Sequence, residues 1–315
     1  MNRTCSPLIA SLALCLSFSA CGGTAGTSNP DGGNPQTNPD LASTQQNPDL
    51  ASMQQNTCPL AANTSSTATV NANGCHVLAR DTSSCEAARK AAGLSGYWLK
   101  FSCRVTLSTA MANGANVVRA AADGRPDYAS FYFPSNDPCY EVYNGAIHNP
   151  NEIKAKSLTV DFPVAPNMNP ANMRGTAVVG LALNGVPIFG NFAAPGDDIY
   201  RESMTFDRCG AHPENTGNYH YHAEPYAISY NDSNFVGVMR DGFPIYGRLD
   251  KDGSKPTVDA YGGHTGTTPD SPGTPVYHYH VNEQTSTSPG TQGQKQWFLT
   301  TGQFRGTPAP CTTCN

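Results

Sequence analysis

Apolar positions along this chain come in short bursts rather than helical stripes. Leu8 to Phe18 is one apolar run, too short to cross a bilayer as a stable helix. Residues 22–57 hold few apolar groups. From about Cys58 onward, short β-branched and aromatic runs alternate with turn residues, and the 30 Gly and 25 Pro supply many breaks. The pattern predicts strands at Tyr97 to Leu107, Ala129 to Phe133, Leu158 to Phe162, Ala177 to Leu183, Phe235 to Met239 and Trp297 to Thr300. One helix is readable: Ser83 as cap, Glu86 three residues on as a capping box, an Ala-rich body, and Gly93 as the stop. The expected fold is all-β or β-dominated, with one short helix.

The N-terminal burst sets an expectation about compartment. Arg3 precedes the apolar run, which ends in Phe18-Ser19-Ala20-Cys21-Gly22, small residues before a cysteine. The pattern resembles a lipobox, with residues 1–20 as lipoprotein signal peptide and Cys21 as the lipidated residue. Gly22 and Gly23 bring no Asp after it, which points to the outer membrane, facing either the periplasm or the cell surface. In residues 21–57, Asn38-Pro39-Asp40-Leu41-Ala42-Ser43 recurs as Asn47-Pro48-Asp49-Leu50-Ala51-Ser52. So polar a repeat reads as a disordered tether carrying a folded body at 58–315.

Cysteine use fits export. Of 11 Cys, Cys5 and Cys15 leave with the signal and Cys21 takes lipid, so eight remain: Cys58, Cys75, Cys85, Cys103, Cys139, Cys209, Cys311 and Cys314. An even set in an oxidising compartment reads as up to four disulfides of open connectivity. Cys311-Thr-Thr-Cys314 reads as structural, because no βαβ context accompanies it. A net charge of −5 argues against nucleic-acid binding.

The C-terminal half repeats itself. Gly180 to Gly190 (GLALNGVPIFG) reappears as Gly237 to Gly247 (GVMRDGFPIYG). Each copy leads to Asp-x-x-Gly-x-His, at Asp207 to His212 and Asp259 to His264, and closes on Tyr-His-Tyr-His at 219–222 and 277–280. The duplicated units span about 177–222 and 235–280, behind a front segment at about 58–123. An extended Tyr-His-Tyr-His puts both His on one face and both Tyr on the other. Two imidazoles one residue apart can face one metal, and the repeat suggests a single site. Its expected ligands are His212, His220, His222, His264, His278 and His280, with Asp207 and Asp259 accepting from ring N–H groups. His76 and His148 read as ordinary residues. Asp197-Asp198 and Asp250-Lys-Asp252-Gly253 read as turns.

These blocks resemble the YHYH-domain family of mostly bacterial exported proteins over roughly Gly124 to Gly306, with Asn149 to Ile153 a softer echo. The resemblance implies a conserved fold and no defined activity. Its front block often reads Gly-x-Pro-x-His, where this chain has Gly124-Arg-Pro126-Asp127-Tyr128. Three functions follow as expectations: a membrane-anchored metal-binding lipoprotein; a metal-dependent enzyme at the same site, either a copper oxidase or a hydrolase with Glu224 or Asp241 as base; and an adhesive or structural lipoprotein with structural His. Imidazoles beside tyrosines in an oxidising compartment tilt the metal toward copper over zinc.

Overall fold

The computed structural model describes Cys58 and residues 74–142, 147–169, 174–175 and 177–314; signal, lipobox and tether lie outside them. Three strands, β1 (Thr106–Ala112), β2 (Ala115–Ala122) and β3 (Leu158–Pro163), form an antiparallel sheet in that order. A second sheet has eight strands: β4 (Val178–Ala182), β5 (Pro187–Phe189), β6 (Ala211–Pro213), β7 (Tyr219–Tyr221), β8 (Phe235–Met239), β9 (Pro244–Tyr246), β10 (Gly263–Thr268) and β11 (Ser271–His280). A hairpin of β12 (Asn282–Thr285) and β13 (Lys295–Phe298) follows.

The eight-stranded sheet runs β10-β11-β9-β8-β4-β5-β7-β6, and this order exposes the duplication. Read outward from the central β4–β8 pair, each half repeats the other, β4 matching β8, β5 matching β9, β7 matching β11 and β6 matching β10. Pairings repeat too: Ile188 faces Tyr221 across a parallel pair as Ile245 faces Tyr279, and His212 faces His220 as His264 faces His278. Each hairpin carries a register shift at the same place, Val178/Gly180 and Phe235/Gly237. The central strands approach so closely that a Cβ on Gly180 would lie 2.6 Å from the Val238 carbonyl oxygen, and one on Gly237 would lie 2.3 Å from that of Leu181.

Both central strands are buried along their whole length, as hydrophobic runs covered on two faces should be. The Gly96–Lys100 3₁₀ turn brings Tyr97 and Trp98 against Phe235 and Phe162, packing the front segment onto the duplicated sheet. Arg89, buried in helix α1 (Ser83–Ala91), donates to the carbonyls of Phe101, Ser102 and Val105. Four disulfides join Cys58–Cys139, Cys75–Cys209, Cys85–Cys103 and Cys311–Cys314.

The β-dominated fold matches the reading from sequence; several elements do not. Tyr97 to Leu107 is a 3₁₀ turn followed by the start of β1, because its aromatic side chains serve inter-sheet packing rather than an alternating strand face. Residues 129–133 form only an isolated bridge between Ser130 and Tyr140. Thr82, not Ser83, caps α1, without a side-chain bond, while Asp81 accepts from the Ser83 amide. A second, one-turn helix, α2 (Ile199–Glu202), is capped by Asp198 through the Tyr200 amide. Among the described residues, no helix is long and apolar enough to cross a membrane.

The central contact sets an expectation. Gly237→Ala pushes a methyl into backbone atoms and should cost about 1–3 kcal/mol, read as a lower urea midpoint. Gly273→Ala, which meets nothing within 4 Å, should leave the midpoint nearly unchanged.

Candidate metal centre

Each Tyr-His-Tyr-His segment is extended, and its two faces do different work. On one face the tyrosines lock the repeat together. Tyr219 donates to Asp207, and Tyr277 donates to Asp259 at 3.0 Å. Asn184 donates to the Tyr221 hydroxyl at 3.1 Å, while Tyr279 donates to Asp241 at 2.6 Å. The first tyrosine therefore meets the Asp of Asp-x-x-Gly-x-His, and the second meets the Asn or Asp that opens the β4–β5 or β8–β9 turn. Asp207 and Asp259 thus hold tyrosines, not the imidazole N–H groups expected of them. Tyr128 sits on this face as well, 2.9 Å from the Tyr219 hydroxyl and 2.7 Å from that of Tyr221. The departure at Gly124 to Tyr128 therefore serves the tyrosine network.

The opposite face carries the imidazoles. A carbonyl oxygen can only accept, so each ring nitrogen facing one must carry the hydrogen. Nδ1 of His220 donates to Asn218 O at 2.9 Å, and Nδ1 of His222 donates to Gly190 O at 2.5 Å. In the second copy, His278 donates to Val276 O at 2.9 Å and His280 to Gly247 O at 2.7 Å. His212 Nδ1 lies 2.7 Å from Thr205 Oγ1 and 3.3 Å from Asn149 Nδ2, with no carbonyl among the described residues to fix its tautomer. In the four neutral rings bound to carbonyls, Nε2 is left as a bare lone pair. The Nε2 atoms of His220 and His222 lie 2.9 Å apart. Two lone pairs at that distance repel, and a shared cation turns the contact favourable.

The six His do not converge on one point. They form two triads, His212 with His220 and His222, and His264 with His278 and His280; within each, the ligand atoms lie within 4.8 Å of one another. Strands β7 and β11 are five steps apart in the sheet order, on the order of 20 Å at the usual interstrand spacing. The expected single site fails because the halves pair through β4 and β8, which sends the histidine strands to opposite edges.

Asp250 joins the second triad. His264 Nε2 lies 3.1 Å from Asp250 Oδ1, 3.1 Å from His278 Nε2 and 3.2 Å from His280 Nε2, and Asp250 Oδ1 is 3.7 Å from His278 and 3.4 Å from His280. A tetrahedron with metal–ligand arms of about 2.0–2.1 Å has edges of about 3.3–3.4 Å, close to this set. Both triads could hold a metal ion, the second with a carboxylate included. At the first triad Glu202 approaches only His212, at 3.4 Å, and the His212 Nε2 and Glu202 Oε2 atoms are buried without a hydrogen-bond partner.

Burial keeps the rings neutral and ready to ligate. It pushes His220 and His280 down to about 4, lowers His278, and holds His212 and His222 well below the ordinary value. Burial also raises the Glu202 carboxyl to about 7, with Asp197 adding to the shift. The expected bases are engaged elsewhere: Glu224 is buried against Arg248, and Asp241 accepts from Tyr279 and the Gly306 amide. His76 and His148 are exposed and belong to neither triad. Asn149, from the softer echo, donates to Pro213 O beside His212.

Residues 159–258 match the family model described as YHYH protein. That stretch, about a third of the 315 residues, is similar to that family. The matched segment is shorter than the resemblance implied. It covers the first unit and runs past Asp250, but stops before His264 and the second Tyr-His-Tyr-His. No curated protein and no solved structure matches the chain. Sequence reasoning missed two carboxylates beside the histidine triads, Asp250 and Glu202. Asp250 lies three residues past Gly247, where the first copy has Ala193 past Gly190, so comparing repeats could not single it out; Glu202 likewise has no partner in the second copy.

A pH dependence follows. With folded-state His values below the unfolded one, the unfolded chain takes protons first as pH falls. The metal-free protein should therefore lose stability from about pH 6.5 toward pH 4, by about 1.4 kcal/mol per pH unit for each such His, in urea titrations. His220→Gln with His222→Gln should flatten that slope.

Proposed function

We propose that this chain is an exported, lipid-anchored metal-binding protein whose two histidine triads each take one divalent transition metal. The observation that carries the reading is the convergence of three Nε2 atoms and Asp250 Oδ1 at 3.1–3.7 Å. Buried imidazoles oriented by main-chain carbonyls, with their free nitrogens turned to one point, are costly to assemble without a cation. The argument for copper weakens because the tyrosines lie on the other face of the strand. Near-tetrahedral edges with a His₃Asp set suit zinc. Four disulfides and the lipobox at Cys21 support a working place outside the cytoplasm, anchored in the cell envelope.

Two measurements test this. Elemental mass spectrometry on the untagged protein should find about two equivalents of zinc or copper per chain after reconstitution. His278→Ala with His280→Ala should remove one equivalent, and His220→Ala with His222→Ala the other; no metal after reconstitution would sink the reading. Metabolic labelling with a radioactive fatty acid should mark the wild-type chain and leave Cys21→Ala unmarked. A labelled Cys21→Ala chain would place the acylation elsewhere.

A further inference from the structure

We infer that the two triads are unequal: the second is a closed structural centre, whereas the first keeps a coordination position open for a small apolar monocarboxylate. The inference rests on the metal-binding reading above and concerns what else each metal can take. In the second triad, Asp250 Oδ1 lies within 3.7 Å of all three ring nitrogens and completes four ligands. Of its histidines only His264 borders the cavity on that side, beside Asp259, Tyr277 and Arg305. In the first triad Glu202 Oε1 lies 3.4 Å from His212 Nε2 without joining the three ring nitrogens as one group, and the cavity borders His220 and His222 together with Glu202. Catalytic and exchange sites keep an open position, and structural sites close it.

What lines that cavity identifies the ligand. His220 and His222 form part of the wall of a cavity of about 570 Å³. Phe189, Phe192, Ala193, Ala194 and Pro195 give it an apolar lining; its charged residues are Arg174, stacked over Phe192 at 4.5 Å, Glu202 and Glu214. Phe189 in turn stacks on His220 at 3.9 Å, so one ring spans both metal ligand and cavity. The volume suits a small organic molecule. Against Arg174, Glu202 and Glu214 in the wall, a divalent ion on the three imidazoles leaves one net positive charge, so the first centre takes an anionic donor. A carboxylate would occupy the open position, with its apolar body against the phenylalanine wall.

Cobalt(II) tests this on the full-length chain, because its visible absorption reports coordination and phenylacetate can serve as probe. With two cobalts bound, phenylacetate should shift part of the absorption, saturate at one per chain, and bind roughly tenfold tighter than acetate through burial of its ring. The shift should vanish in His220→Ala/His222→Ala and persist in His278→Ala/His280→Ala. Ala193→Trp, which puts a large ring into the cavity from a residue outside the triad, should keep two cobalts and lose the preference over acetate. Two bound cobalts with no phenylacetate shift would overturn this inference alone, and cobalt at neither triad would overturn the metal reading as well. Equal binding of acetate and phenylacetate, or a shift that appears only in Glu202→Ala, would also overturn it. The latter result would make Glu202 the fourth ligand.

Discussion

A ring N–H bound to a main-chain carbonyl is a small interaction, but here it decides how both ends of the large sheet are built. Once Nδ1 of His220, His222, His278 and His280 has donated to Asn218, Gly190, Val276 and Gly247, tautomer and ring plane are fixed together. Each Nε2 then has to point away from the carbonyl it serves. Two of the four acceptors, Gly190 and Gly247, close the repeated Gly-to-Gly block, and the other two lie two residues before the His they receive from. The spacing of the blocks therefore follows from where an imidazole can find an oxygen.

The strand alternation divides this demand from a second one. Tyrosine hydroxyls on the far face bind Asp207, Asn184, Asp259 and Asp241, tying each histidine strand to the loop before it and to the turn of the neighbouring hairpin. Asp207 and Asp241 are buried, and either carboxylate left unpaired would be expensive. Their hydroxyl partners are thus part of the folding problem, while the histidines opposite are free to serve a ligand. Polar residues on both faces would otherwise be a poor choice for buried strands.

Much of this was legible in the chain. The duplication, the strand character of Tyr-His-Tyr-His and the segregation of its His from its Tyr all follow from spacing and from period-two geometry. Sheet order was not legible: nothing in Gly180 or Gly237 announces that these strands meet in the middle, and only that pairing sends the triads apart. Asp250 was hidden for a different reason. Its neighbours Asp252 and Gly253 form a true turn, with Asp252 accepting from Ser254, so local sequence explained the whole run before any long-range contact was considered. Tyr97 to Leu107 misled similarly, since β-prone aromatics can serve a packing seam as readily as a strand.

The pseudo-twofold arrangement carries one more implication. A symmetric dimer of half-length chains would be bound to carry identical centres, because every residue of one would be copied in the other. One covalent chain with the same symmetry escapes that rule. Each loop between the paired blocks can drift on its own, as the 20 residues from Gly190 to Ala211 and the 15 from Gly247 to Gly263 have done. Asymmetry of ligands is then available without any loss of the shared scaffold.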